Sequence, residues 1–154
     1  MKTFLSTFRK VIFLLLLSIQ FMFLDAQPTN QVAKLLEGDV DDRFGRSVCV
    51  SGDNAIVGAR YYDGLGDATG AAYIYYNDAG TWTKTATLIA DDADLDDSFG
   101  YNVYISGDYA IVGALYDDDY GIYSGSAYIF YNDAGTWTQT AKLTPTDLSA
   151  NDYF

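Results

Sequence analysis

Ser51-Gly-Asp-Asn-Ala-Ile-Val-Gly-Ala59 returns 55 residues later as Ser106-Gly-Asp-Tyr-Ala-Ile-Val-Gly-Ala114. The echo runs on in both directions. With Phe44 placed on Phe99, residues 44–98 match residues 99–153 at 31 of 55 positions without a gap, and Phe154 falls on the next multiple. A fixed period of this size marks propeller and solenoid repeats. Inside one period, four strand-like runs (47–50, 55–59, 71–76 and 82–89) alternate with turn-forming residues. Ser51-Gly-Asp-Asn54 leaves room only for a tight hairpin, and Asn77-Asp-Ala-Gly80 is a second, with Gly80 free to take a positive φ. Ala55-Ile-Val-Gly-Ala59 is apolar without alternation, as in a strand covered on both faces. Four antiparallel strands make a blade, and blades stacked about an axis supply that double cover. Val48 and Val50 correspond to Val103 and Ile105 while Cys49 becomes Tyr104, so the like pair is expected on one packed face and the variable residue on the other.

The predicted fold is therefore all-β: two blades of four antiparallel strands plus flanking strands, an incomplete β-propeller. Gln31-Val-Ala-Lys-Leu35 copies the fourth-strand sequence Gln139-Thr-Ala-Lys-Leu143. The expected organisation is a signal peptide over 1–26, an unpaired outer strand and acidic loop over 27–43, repeats over 44–98 and 99–153, and the start of a truncated third repeat at 154. Two blades cannot close a ring that takes about 4 to 8, so further blades from a longer chain or a partner are expected.

Composition narrows the function. Nine Lys and Arg face 21 Asp and Glu, a net charge of −12, and there is no His. Residues 27–154 hold 6 bases and 20 acids, a net −14. Such a surface repels phosphate backbones, which excludes nucleic acid as a partner. Without His, Ser-His-Asp and Cys-His catalysis and imidazole metal sites are excluded. Nineteen of those 20 acids are Asp and only Glu37 is Glu, which suits turns rather than helices. The N-terminus differs: Lys2, Arg9 and Lys10 precede an apolar run over 11–24 that ends at Asp25-Ala26. The run is short of the roughly 20 residues a membrane span needs, and it has the layout of a secretory signal. Secretion or cell-surface display, with no membrane span after signal removal, is the expected location. In an oxidising exterior the lone Cys49 reads as a small buried hydrophobe.

Phe44-Gly45 followed by Gly58-Ala59, and Phe99-Gly100 followed by Gly113-Ala114, resemble the FG-GAP repeat of integrin α-chain propellers and of secreted bacterial proteins. Arg60 and Leu115 stand where the family motif ends in Pro. The resemblance implies a propeller whose loop end contacts an extracellular ligand, and it implies calcium in the hairpin between the first two strands. That hairpin is cut here to four residues with one Asp in each unit, too few for the six to eight oxygens calcium takes.

Antiparallel order sorts the acids by end. Asp53, Asp78, Asp108 and Asp133 sit on the short hairpins, and the other 15 Asp of residues 27–154 sit on the long loops. The long-loop end is expected to be the recognition face, with Tyr61, Tyr62, Asp63, Tyr116, Asp117, Tyr120 and Tyr123 as candidate ligand-binding residues for an extracellular protein or glycan. Asp91, Asp92, Asp94, Asp96 and Asp97 have the density for a cation site, with calcium the candidate ion, but not the spacing of an EF-hand loop. Paired carboxylates could serve glycoside hydrolysis, but that needs one acid with a raised pKa in an apolar site, and the repeated Gly-rich loops offer none. Trp82, Trp137, Phe44 and Phe99 read as packing residues. The expected function is a non-catalytic module for extracellular binding or adhesion. The alternative is an accessory or structural domain of a larger secreted, polysaccharide-active enzyme.

Overall fold

The computed structural model describes residues 33–38, 41–146 and 150–154. The expected signal peptide and the first residues of the leading strand lie outside them. Strands β1 (Val48–Ser51), β2 (Asn54–Ala59), β3 (Ala71–Asp78) and β4 (Thr81–Leu88) form one antiparallel sheet in chain order. Strands β5 (Phe99–Ser106), β6 (Tyr109–Ala114), β7 (Ser126–Asp133) and β8 (Thr136–Leu143) form a second sheet in the same order. These are the two blades expected from the repeat, and no helix occurs among the described residues.

Turn chemistry explains the pairing. The β3–β4 connection puts Ala79 at φ 48° and Gly80 at φ 94°, the two left-handed residues of a type I′ hairpin. The Asn77 side chain accepts a hydrogen bond from Gly80 N at 2.8 Å. Ala134, Gly135 and Asn132 repeat this arrangement in the second blade. Both blades also carry an irregularity at the same place, between Ile74 and Tyr75 and between Ile129 and Phe130.

The core lies between the blades. Ile56, Ala72, Ile74 and Leu88 of the first meet Phe99, Val103, Ile105, Val112, Tyr128 and Phe130 of the second, with Trp137 packed at the margin. Phe99 packs edge-on to Tyr128 and Phe130 at 5.4 and 6.0 Å between centroids. Fully burying a side chain of this size stabilises by about 1.5–3 kcal/mol. The paired dipeptides matter because the backbones nearly touch. A Cβ on Gly58 would lie 2.0 Å from the Gly100 carbonyl oxygen, and one on Gly100, at φ 87°, 2.2 Å from that of Ala71. The motif glycines thus close the seam, and Phe99 fills the core beside it.

On the far side of the first blade, Ala55, Val57, Tyr73 and Tyr75 are covered by Leu35, Phe44, Tyr62, Trp82 and Ile89. Strand β2 is therefore buried on both faces, as its apolar run implies. The identical run in β6 is not: Ile111 and Gly113 are half-buried while Ala110, Val112 and Ala114 are buried. No further sheet lies on that face among the described residues, so the same sequence shows alternation in one blade and none in the other. The like pair behaves as expected in the second blade, with Val103 and Ile105 buried and Tyr104 exposed. In the first blade Val48 and Val50 are exposed, and the half-buried Cys49 faces the interblade core. Residues 33–37 form no strand.

The seam has a regular backbone. Asp96 N, Ser98 N and Phe99 N donate to the carbonyls of Asp67, Ala68 and Thr69 at 3.0–3.1 Å. Fifty-five residues on, Asn151 N, Tyr153 N and Phe154 N donate to those of Ile122, Tyr123 and Ser124 at 2.8–3.1 Å.

Candidate functional site

The β2–β3 and β6–β7 loops lie at the end opposite the hairpins, and matching bonds hold them. Gly70 N donates to Tyr62 O at 3.0 Å and Gly125 N to Asp117 O at 2.9 Å. Thr69 and Ser124 hydroxyls donate to the same two carbonyls. Tyr61 N bonds Asp42 O at 3.1 Å, and Tyr116 N bonds Asp97 O at 3.2 Å. Tyr61 and Tyr116 thus stand at equivalent points, just past the second strand of each blade.

Between them opens a cleft of about 410 Å³ lined by Tyr61, Asp96, Ser98, Tyr116, Tyr123 and Tyr153. Tyr116 is tilted against Tyr123 at 5.2 Å and edge-on to Tyr153 at 6.1 Å, and Tyr123 and Tyr153 are near-parallel. The Asp96 carboxylate is exposed at the rim. Ser98 is 1% exposed and its hydroxyl has no hydrogen-bond partner among the described residues. An unpaired buried hydroxyl costs about 1–3 kcal/mol.

Three of the candidate binding residues, Tyr61, Tyr116 and Tyr123, meet in this cleft. The others do not. Tyr62 packs edge-on to Tyr73 at 6.2 Å. Asp63 accepts a bond from Ala68 N at 2.8 Å and shapes its own loop. Tyr120 is exposed but does not line the cleft. Asp117 is 1% exposed and accepts a 2.7 Å bond from the Tyr128 hydroxyl.

Asp117 belongs to a charge node that the sequence did not announce. Lys142 Nζ lies 2.7 Å from Asp117, 2.8 Å from Asp92 and 2.6 Å from Asp119. Burial alone would lower the Lys142 pKa, but the hydrogen bonds the ammonium donates to the three carboxylates outweigh it and hold it well above its usual range. For Asp92, burial works against ionisation, yet Lys142 keeps the carboxyl below its usual value. Burial raises the Tyr128 hydroxyl, and Asp117 adds to the effect.

The candidate cation loop divides among separate tasks. Asp92 pairs with Lys142, Asp94 accepts a bond from Leu95 N, and Asp96 lines the cleft. Asp91 N donates to the Gln139 side chain. Asp97 is 5% exposed and accepts a bond from Asp94 N at 3.0 Å. Burial pushes its pKa up to about 7, against the Asp94 hydrogen bond and with help from the Asp117 charge. Asp97 is therefore a raised acid of the kind the loops were not expected to offer. It lies outside the cleft lining. Among the described residues no group of three or more His, Cys, Asp and Glu converges to hold a metal ion.

Ser98, Tyr153 and Lys142 escaped sequence reasoning. A trace of Ser98 was present: it replaces Arg43 at the same point of the repeat. A family model described as FG-GAP repeat matches residues 29–75 and 82–130. No curated protein matches the chain.

Proposed function

This chain belongs to the FG-GAP repeat family, and we propose that it works as a secreted or cell-surface module for extracellular binding or adhesion, without catalysis of its own. The observation that supports this is the tyrosine-lined cleft on the long-loop end, with a buried hydroxyl left unbonded at its wall. Such a combination of aromatic surface and a few polar groups suits recognition. The apolar start of the chain supports export, and among the described residues no helix is long and apolar enough to cross a membrane. The raised acid Asp97 does not favour a hydrolase, because it is buried behind its own loop and its neighbour Asp117 is engaged by Lys142 and Tyr128.

The test is adhesion of the secreted protein to arrayed extracellular proteins and glycans, repeated with two sets of variants. Replacing Tyr61, Tyr116 and Tyr123 together should abolish capture of whatever partner is found, and replacing Asp53 and Asp108 on the hairpin end should not. Equal loss from both ends, or none from the tyrosines, would reject the loop end as the recognition face.

A further inference from the structure

The register between the two units isolates one difference inside the cleft. Tyr61 is flanked by cations of its own unit, the Arg43 guanidinium 5.4 Å and that of Arg60 4.1 Å from the ring centre. Tyr116 occupies the same place in the second unit, held by the same backbone bond. The residues corresponding to Arg43 and Arg60 are Ser98 and Leu115, neither of them charged. The backbone does not differ there, since Arg43 and Ser98 both sit at φ 55°.

Elsewhere the second unit restores a lost cation. Tyr73 has Lys84 over its ring at 5.3 Å. The counterpart of Lys84 is the uncharged Gln139, yet Tyr128, the counterpart of Tyr73, has Lys142 at 5.2 Å from another position on the same strand. At Tyr116 nothing of the kind is supplied among the described residues. There the cleft lies open instead, with the Asp96 carboxylate at its rim and the buried Ser98 hydroxyl unbonded. Its volume of about 410 Å³ is far more than one side-chain tip fills and falls in the range of sites for small molecules.

We infer that the Tyr116 cleft binds an amino sugar bearing a free ammonium, as a unit of a cationic glycan. The apolar C–H face of a sugar ring covers the tyrosine surface, as the apolar part of an amphipathic group does. Its ammonium takes the place beside the rings that Arg43 takes at Tyr61, with Asp96 as counter-ion. The net −14 of residues 27–154 attracts such a polymer. This assignment rests on the reading of the loop end as a recognition face and adds the ligand class.

Calorimetry of the full-length secreted protein tests it with three probes: a glucosamine oligomer, the N-acetylated oligomer of equal length, and an arginine-rich peptide of equal charge. The glucosamine oligomer should bind saturably and more weakly as salt rises, with the acetylated form about tenfold or more weaker. Asp96→Asn, which keeps a residue tolerant of the positive φ at that position, should weaken binding about tenfold, the scale of one charge-assisted hydrogen bond. Ser98→Arg should abolish binding by supplying an internal guanidinium, with circular dichroism confirming the fold. Equal binding of both oligomers would remove the ammonium from the assignment. An Asp96-dependent affinity for the peptide as tight as for the sugar would replace the glycan with a basic protein, and silence from the glucosamine oligomer would overturn the assignment. If the array meanwhile yields another partner that depends on the cleft tyrosines, the recognition face stands and only the ligand class falls.

Discussion

Tyr73 and Tyr128 hold the same position in successive blades, yet they are stabilised by different chemistry. In the first blade Phe44 and Tyr62 lean on Tyr73 at 5.7 and 6.2 Å, and Lys84 above it pairs with Glu37 at the surface. In the second, Asp117 replaces Tyr62, and the ring is tied through its hydroxyl to Asp117 and through it to Lys142, Asp92 and Asp119. Glu37 and Asp92 are themselves counterparts. One backbone thus carries an aromatic stack in one blade and a half-buried charge lattice in the other. The strand ladders and loop bonds are shared, and what diverges is the side-chain filling, which decides how each blade responds to substitution.

The two lysines put the sharpest strain on that contrast. Lys142→Met should destabilise by about 3 kcal/mol, because it leaves the buried Asp117 carboxylate without its cation. Lys84→Met breaks only an exposed pair and should cost less than about 1 kcal/mol. Urea denaturation followed by tryptophan fluorescence reads both, and similar losses would mean the lattice is no stronger than the surface pair.

A second contrast lies in the motif glycines. Gly58→Ala should cost about 1–3 kcal/mol through overpacking, since its Cβ would collide with the Gly100 carbonyl. Gly113→Ala meets nothing nearer than 3.8 Å and should be close to neutral in this two-blade unit. Thermal melts of the pair measure it. A large loss at Gly113 would show that its face is covered in solution, by another unit or a second copy, and the blades would then be alike.

The smallest effect concerns pH. Asp97 has a folded pKa of about 7, above the usual carboxylate value of 3.8. The folded state therefore holds a proton that the unfolded chain releases near pH 4. This contribution is fully present below about pH 4 and is lost as pH rises to 7. Asp97→Asn, which can still accept the Asp94 N–H, should raise stability at pH 8 by on the order of 1 kcal/mol and flatten the decline between pH 4 and 7. Melting curves at pH 4, 6 and 8 check this, and a variant less stable than the parent at pH 8 would show that the ionised carboxylate is the favoured form.

The repeat made the blades legible because a period of 55 and two four-residue hairpins leave the chain few other ways to pair. The cleft was half legible. Tyr61, Tyr116 and Tyr123 could be placed on the loop end from strand order alone, but which rings converge depends on how the next unit docks. That docking brings Tyr153 and Ser98 in and leaves Tyr120 out. Asp117 read as a binding residue because sequence gives a carboxylate no depth. Only its distance to Lys142, 25 positions away, shows it neutralised and buried.

The seam between units has a further consequence. Its three bonds run from main-chain N–H to main-chain carbonyl, and they persist although Asp67 becomes Ile122, Ala68 becomes Tyr123, Asp96 becomes Asn151 and Ser98 becomes Tyr153. The bonds themselves tolerate these exchanges, while the glycines beside them do not vary: a Cβ on Gly70 would lie 2.1 Å from the Phe99 carbonyl oxygen and one on Gly125 2.5 Å from Phe154 N. Side chains in the loops around the seam can therefore differ between units while the joint still closes. In this chain main-chain atoms make the joint and side chains carry the differences between the units, so the two can change independently wherever no glycine is required.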